Sequence, residues 1–244
     1  MTSTIRISRT VGILLLLHLA IGLTAPFILL HAPTGPRGFL LEAADNAVQL
    51  RTAVFLLTIG SAFAIAVTIT ALPIIRRYSS ATAYWLLALA IAGFVLQTVD
   101  NGRLLSMLSL SQEYARSGAA RSELFESLAF VVGSARRWAH YTYLFVAVSW
   151  IFLLFTTLFR FHLVPRVLAV LGIIASLSQI IGVPLRAIFG YPPEMRMAMP
   201  LAPVYVGLAL WLLIKGFDDR HYPAEPEPTR TQIAAMSEPL GGPS

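Results

Sequence analysis

The chain has 244 residues, of which 57% are hydrophobic and only 12% charged, and its net charge is +6. Soluble domains carry about 25% charged residues, so this composition excludes an ordinary soluble globule and favours a membrane protein. Cysteine is absent, which excludes disulfides, thiolate nucleophiles and cysteine-ligated metal centres. Arginine supplies nearly all of the positive charge, which favours membrane lipids, anionic ones above all, over nucleic acid as partners.

Six apolar runs, taken in chain order, are each long enough to cross a hydrocarbon core, which takes about 20 residues. They cover residues 10–30, 52–75, 81–103, 137–159, 164–188 and 197–217. Runs of this length without strict alternation predict helices rather than barrel strands. The sequence therefore predicts an all-α fold, an integral membrane bundle of six transmembrane helices, in one domain over residues 1–217.

The first run follows Arg6 and Arg9, as the apolar core of a secretory signal would. It continues through Pro26 to residue 30, however, whereas the core of a signal has about 7–15 residues. We therefore interpret it as a retained span.

Two segments outside the runs have their own patterns. After the third run, Ser122 is a suitable N-cap, and Leu124, Phe125 and Leu128 fall on one helical face. This pattern predicts a short interfacial helix between spans 3 and 4, or an extension of the fourth span. Residues 218–244 are polar and rich in proline, which predicts a disordered tail.

The orientation is less constrained than the number of spans. Lysine and arginine divide evenly between the two sides of the six-span arrangement, so the positive-inside bias does not decide. Because Arg6 and Arg9 precede the first span and the short connections are basic, we expect a cytoplasmic N-terminus. An even number of spans then places the C-terminal tail in the cytoplasm as well.

Polar residues concentrate in the outer halves of the predicted helices. At 1.5 Å per residue, Asp100 lies about 28 Å along the third helix, near the outer edge of a core about 30 Å thick. Gln97 shares the face of Asp100, and Arg136, His140 and Tyr143 share one face of the fourth helix. Ionisable groups within the membrane mark functional sites by default. These faces predict an outward-facing polar cavity.

We expect this cavity to bind or transport a small amphiphile or anionic lipid, with arginines contacting the anionic group. Its candidate ligand-binding residues are Arg51, Gln97, Asp100, Arg103, Arg137, His140, Tyr143, Gln179 and Arg186. In a simpler interpretation, arginines at helix ends reach the headgroups, and Asp100 pairs with Arg103 where a frayed helix ends in an Asn-Gly turn.

The motifs of common catalytic sites are missing, with no G-x-S-x-G, H-E-x-x-H, P-loop or G-x-G-x-x-G. This favours a protein without enzymatic activity, and we predict neither a metal nor a cofactor. A membrane enzyme using Asp100 and His140 as acid and base, or a structural or regulatory partner, are the alternatives. His31, Asp100 and His140 could together hold zinc, whereas His18 is interpreted as bonded to a neighbouring helix.

Five short stretches carry a resemblance to a known family. They are the opening "MTSTIRISRTVGILLLLHLAIGL", Arg51 after "VQL", the "HYTY" that begins at His140, "FHLVPRVLAVLGI" and "LALWLLIKGF". On these stretches the chain resembles, over nearly all of residues 1–217, a bacterial family of multipass membrane proteins described as domain of unknown function 4386.

The resemblance implies a multi-pass protein of the bacterial plasma membrane, the cell inner membrane, with several helices and no established activity. Similar proteins often carry an acidic residue early in the last span, where this chain has Tyr205. This difference argues against a proton- or cation-coupled role that rests on such a carboxylate.

Overall fold

A computed structural model describes residues 3–34, 38–117, 122–189 and 200–218, and within these ranges every regular element is a helix. The helices are α1 (Ser3–Thr24), continued by a π-helical turn at Ala25–Leu29, α2 (Phe39–Glu42), α3 (Ala47–Tyr78), α4 (Ser80–Arg116), α5 (Ser122–Arg160), α6 (Arg166–Phe189) and α7 (Leu201–Ile214). The all-α prediction is confirmed for this part of the chain. The predicted disordered tail, apart from Asp218, lies outside the described residues.

Five helices are long and apolar enough to cross a membrane, namely α1 with its π-helical turn, α3, α4, α5 and α6. Large apolar side chains on their outer faces are exposed, among them Phe55, Trp85 and Ile174, as expected where lipid replaces water. These features support a multi-pass membrane protein.

The predicted sixth span corresponds to α7, which is apolar but has only 14 residues. At 1.5 Å per residue, α7 is about 21 Å long, shorter than a hydrocarbon core of about 30 Å. The start of the predicted span, residues 197–199, lies outside the described residues.

The third predicted span ends too early, because α4 continues without a break from Ser80 to Arg116. The "DNGR" stretch lies within this helix, so the interpretation of it as a frayed helix end with an Asn-Gly turn is wrong. Asp100 and Asn101 are both buried and contact neighbouring helices. Side chains and backbone groups on other helices therefore contact both residues, and the helix need not end there.

The residues predicted as a separate interfacial helix form the first turns of α5, which is continuous over Ser122–Arg160. Phe125 meets Tyr114 of α4 edge to face, with ring centroids 5.4 Å apart. This contact holds the start of α5 against the end of α4. Of the two predicted arrangements, the structure has the second, in which these residues extend the helix of the fourth span.

One end of the bundle, which we call the N-terminal end, brings together the start of α1, the α3–α4 turn, the α5–α6 turn and the end of α7. The backbone N–H of Phe217 donates to Ser8 Oγ at 3.0 Å, and that of Asp218 donates to the Leu163 carbonyl at 2.9 Å. Tyr78 stacks on Phe161 with centroids 4.9 Å apart. The opposite end, around Leu30, Leu104 and Leu108, is the cavity end.

The larger apolar core extends from the N-terminal end towards the middle of the bundle. Its fully buried members include Leu15, Ile75, Leu86, Leu158 and Leu212. A smaller cluster packs at the cavity end, around Leu50 and Leu104. The N-terminal half is thus closed by side-chain packing, and the polar groups described below lie beyond this core.

Candidate functional site

A buried charged cluster joins α4 to α5. Asp100, on α4, is only 1% exposed. Its Oδ2 lies 2.9 Å from Nδ1 of His140, and its Oδ1 lies 3.3 Å from Nε of Arg136. Arg136 and His140 are four residues apart on α5 and therefore share a face. We call Asp100, Arg136 and His140 the Asp100 cluster.

The two contacts of Asp100 differ in kind. An ionised carboxylate can only accept hydrogen bonds, so against such a partner His140 Nδ1 is the donor, and a neutral imidazole then has Nε2 as its acceptor. Asp100 Oδ1 and Arg136 Nε are close enough for an ion pair, yet both lack an aligned hydrogen bond. Charge attraction therefore holds Arg136, whereas a directional hydrogen bond fixes His140.

A second polar group joins α4 to α3. Gln97 Nε2 donates to Asn101 Oδ1 at 2.9 Å, and Asn101 Nδ2 donates to Thr58 Oγ1 at 2.9 Å and to the Val54 carbonyl at 3.2 Å. Gln97 and Asn101 are 1% and 4% exposed. Hydrogen bonds of this kind between helices help to fix neighbouring spans. These amides therefore link two helices, and Gln97 is not part of a cavity wall.

A cavity of about 630 Å³ lies beside the Asp100 cluster, between α5 and α6 at the cavity end. Its polar lining residues include Ser134, Arg136, Arg137, His140, Gln179 and Arg186. Its apolar lining residues include Phe39, Met107, Phe130, Leu144 and Val183. Ligand sites in proteins commonly have about 300–1,000 Å³ and combine an apolar lining with a few polar groups. The cavity thus has the size and the composition of a ligand site.

The guanidinium of Arg186 is oriented by an aromatic ring on the opposite wall. Its Cζ lies 5.5 Å from the ring centroid of Tyr141, a cation–π distance. Among the described residues that line the cavity none is acidic. The described lining therefore has a net positive charge, with no carboxylate among its residues to offset Arg137 and Arg186.

Apart from Gln97, the predicted site residues fall into three groups. Arg137, His140, Gln179 and Arg186 line the cavity, while Asp100 lies directly behind His140. Tyr143 lies instead beside a gap of about 20 Å³ that His18 and Trp150 also line, room for about one water.

Arg51 and Arg103 form the third group, because both are exposed and neither lines the cavity. The pairing of Asp100 with Arg103 is also wrong, since the carboxylate contacts Arg136 and His140. Residues at similar depths on different helices point in different directions around their helix axes, and depth alone does not bring them together.

Three side chains with contacts at or near the site were not among the predicted residues. Arg136 had a clear signal, because it shares the face of His140, yet it was not among the candidate ligand-binding residues. Tyr141 and Asn101 had none, since their partners Arg186 and Thr58 are distant in the chain.

Two interpretations of histidines are settled by contacts. His18 Nδ1 lies 2.9 Å from the Gly60 carbonyl of α3, so the expected bond to a neighbouring helix is confirmed. The zinc alternative is not supported, because His31 is exposed and the described residues contain no group of three metal-ligating side chains.

The resemblance read from the sequence is confirmed by comparison with known proteins. A family model described as "Domain of unknown function (DUF4386)" matches residues 10–216. No curated protein and no solved structure matches the chain. The family description contains no activity, so the chemistry of the site has to be inferred from its geometry.

Proposed function

Since the chain belongs to the family described as domain of unknown function 4386, we propose that it is a six-span bacterial plasma-membrane protein that binds a small anionic amphiphile. The ligand occupies the cavity between α5 and α6. The observation that carries this proposal is the combination of arginines and large apolar side chains in the lining of one cavity. Such a cavity matches a molecule with an anionic headgroup and an apolar chain.

The arginines suit the headgroup. Guanidinium groups bind phosphate and carboxylate through parallel hydrogen bonds, which are stronger than those between neutral groups. Arg137 and Arg186 line the cavity without acidic neighbours in its described lining, while Arg136 offsets the charge of Asp100. An added anion therefore meets two positive charges that no acidic residue of the described lining offsets.

The closed N-terminal half indicates from which side the ligand enters. The apolar core around Leu15, Ile75 and Leu158 fills the bundle between the cavity and the N-terminal end. With the N-terminus in the cytoplasm, the cavity faces outwards. Binding from the outer leaflet or the outer aqueous phase follows, and transport would require this core to open.

Replacement of two cavity arginines with glutamine should weaken binding of an anionic lipid. We expect the variant Arg137→Gln/Arg186→Gln to bind fluorescent phosphatidylglycerol at least about tenfold more weakly than wild type, because hydrogen bonds to charged groups contribute about 1.5–3 kcal/mol. Affinity is measured by titration of the purified protein in a neutral detergent, with fluorescent phosphatidylcholine as the zwitterionic comparison.

Arg51→Gln/Arg103→Gln is the matched control, since it removes two exposed arginines outside the cavity. This variant should bind like wild type. Equal weakening in both double variants would mean that overall charge attracts the lipid, and the cavity would then not be the site.

The sixth span is supported by the position of the end of α7. Arg9 Nε donates to the Leu213 carbonyl at 3.2 Å, and Phe217 N–H donates to Ser8 Oγ. The end of α7 therefore lies beside the start of α1, as an even number of crossings requires. A bilayer becomes locally thinner around a short span, and a span that packs without tilt against longer neighbouring helices makes full use of its length. Either effect accommodates a helix as short as α7.

Because the chain has no cysteine, single cysteines can report its topology without background. We expect Ser80→Cys and Lys215→Cys to react with a membrane-impermeant maleimide only from the cytoplasmic side, and Arg116→Cys only from the outer side. All three positions are exposed. Labelling of Lys215→Cys from the same side as Arg116→Cys would show that α7 does not cross and that the bundle has five spans.

A further inference from the structure

The hydrogen bond between Asp100 and His140 gives the cavity a chemical capability that binding alone does not need. His140 Nδ1 is held by a carboxylate that is 1% exposed, while the His140 side chain is 32% exposed and lines the cavity. Nε2 has no protein partner in the described chain and is not among the buried unpaired atoms. The ring therefore presents a fixed, water-accessible acceptor to whatever occupies the cavity.

We propose that His140 is a general base that activates water for hydrolysis of an acyl ester in the bound anionic amphiphile. This inference rests on the proposed function, because the cavity has to hold the ester. Asp100 is a positioning residue. It keeps the hydrogen of the neutral imidazole on Nδ1, so Nε2 can accept a proton, and its charge stabilises the imidazolium that forms.

Arg136 completes the arrangement. Its Nε faces Asp100 at 3.3 Å. Its two terminal nitrogens have no partner in the described chain and are not buried, and Arg136 lines the cavity together with His140. Hydrogen-bond donors placed beside a developing oxyanion are among the largest contributions to acyl-transfer catalysis. Arg136 supplies such donors within one helical turn of the base.

The cavity walls favour an acyl ester over other bonds in the ligand. In an acyl lipid the ester carbonyls lie between the phosphate and the chains. Arg137 and Arg186 bind the phosphate, and Phe130, Leu144 and Val183 contact the chain. A ligand that makes both kinds of contact lies in the same cavity as His140 and Arg136, and its ester, between headgroup and chain, is the bond that we assign to them.

The reaction needs only water as a co-reactant. His140 Nε2 takes a proton from water as the water oxygen bonds to the ester carbonyl carbon, and the carbonyl oxygen becomes an oxyanion beside Arg136. The bond from this carbon to the alkoxy oxygen then breaks, and the imidazolium returns its proton to that oxygen. The products are a fatty acid, which ionises, and a lysolipid alcohol.

The test uses the full chain reconstituted in vesicles of phosphatidylcholine and phosphatidylglycerol. Wild type should release fatty acid and lysophosphatidylglycerol, quantified by mass spectrometry. His140→Gln keeps a side-chain amide that can donate to Asp100 but lacks the base. It should lower the rate at least about 100-fold, in line with typical general-base contributions, while phosphatidylglycerol binding should weaken far less than the rate.

Two further variants separate catalysis from structure. In His140→Ala, added imidazole should restore part of the rate, because it can occupy the vacated space and accept the proton, whereas a purely structural loss would not respond. Asp100→Asn should lower kcat with little change in KM, since an amide donor to Nδ1 places the imidazole hydrogen on Nε2. Arg51→Gln, outside the cavity, should keep the wild-type rate.

The outcomes distinguish the hydrolytic role from the proposed binding function. Binding of phosphatidylglycerol without any release of fatty acid by wild type would overturn the hydrolytic role and leave the proposed binding function standing. Unchanged release in His140→Gln would also overturn it. If phosphatidylglycerol neither binds nor is cleaved, both proposals fail.

Discussion

Asp100→Ala is expected to destabilise the protein by about 3 kcal/mol, the lower part of the range for removing one partner of a buried ion pair. The substitution leaves Arg136, whose side chain is 23% exposed, and His140 beside an apolar methyl group. The loss is measured as a shift in the midpoint of denaturant unfolding of the protein in detergent micelles.

Glu113→Ala is the matched control, because it also removes a carboxylate from an α4 ion pair. Glu113 lies 3.6 Å from Arg116, and both side chains are largely exposed. Such exposed pairs contribute about 0–1 kcal/mol, so this variant should unfold almost like wild type.

A second substitution tests the cause of the loss. Arg136→Met in the Asp100→Ala background removes the unpaired charge and should recover part of the stability, since an apolar replacement of a buried ion pair is often tolerated. If Asp100→Ala is as stable as Glu113→Ala, water in the cavity screens the cluster and the ion pair does not hold α4 to α5.

Gly172→Ala is expected to cost about 1–3 kcal/mol through overpacking. A Cβ at this position would overlap the ring of Phe155, which is fully buried between α5 and α6. Close approach of helices at small residues is a common means of packing membrane spans. The loss is measured in the same unfolding assay.

Gly93→Ala is the matched control for Gly172→Ala, since Gly93 is also buried within a long helix. A Cβ there would meet no atom within 4 Å, and alanine is favoured over glycine in a helix by up to about 1 kcal/mol. This variant should be neutral or stabilised. Equal losses at both glycines would point to a local backbone effect and contradict the packing explanation.

The helical fold could be predicted because the length and composition of an apolar run are local properties. A stretch such as residues 52–75 contains all the information needed to identify a membrane helix. The end of α4 could not be predicted in this way, since it depends on partners of Asp100 and Asn101 on other helices.

The site was predictable only to the level of helix faces. Spacing placed Arg136 and His140 on one side of α5, and the structure shows both at the cavity. Rotation of each helix about its axis is set by packing with its neighbours, so depth alone could not show that Arg51 and Arg103 point away from it. Whether any of these residues binds a ligand stays a prediction.

The packing of α1 against α7 has a consequence for biosynthesis. A Cβ on Gly12 would lie 2.8 Å from the Ala209 carbonyl oxygen, so α1 is closely packed against α7, a helix that is synthesised much later. Until α7 is synthesised, α1 packs against α3, and the face of α1 that carries Gly12 contacts lipid or an insertion factor. A nascent chain that stops before Leu201 leaves that face uncovered, and membrane quality control has there a feature that marks an α1 not yet packed against α7.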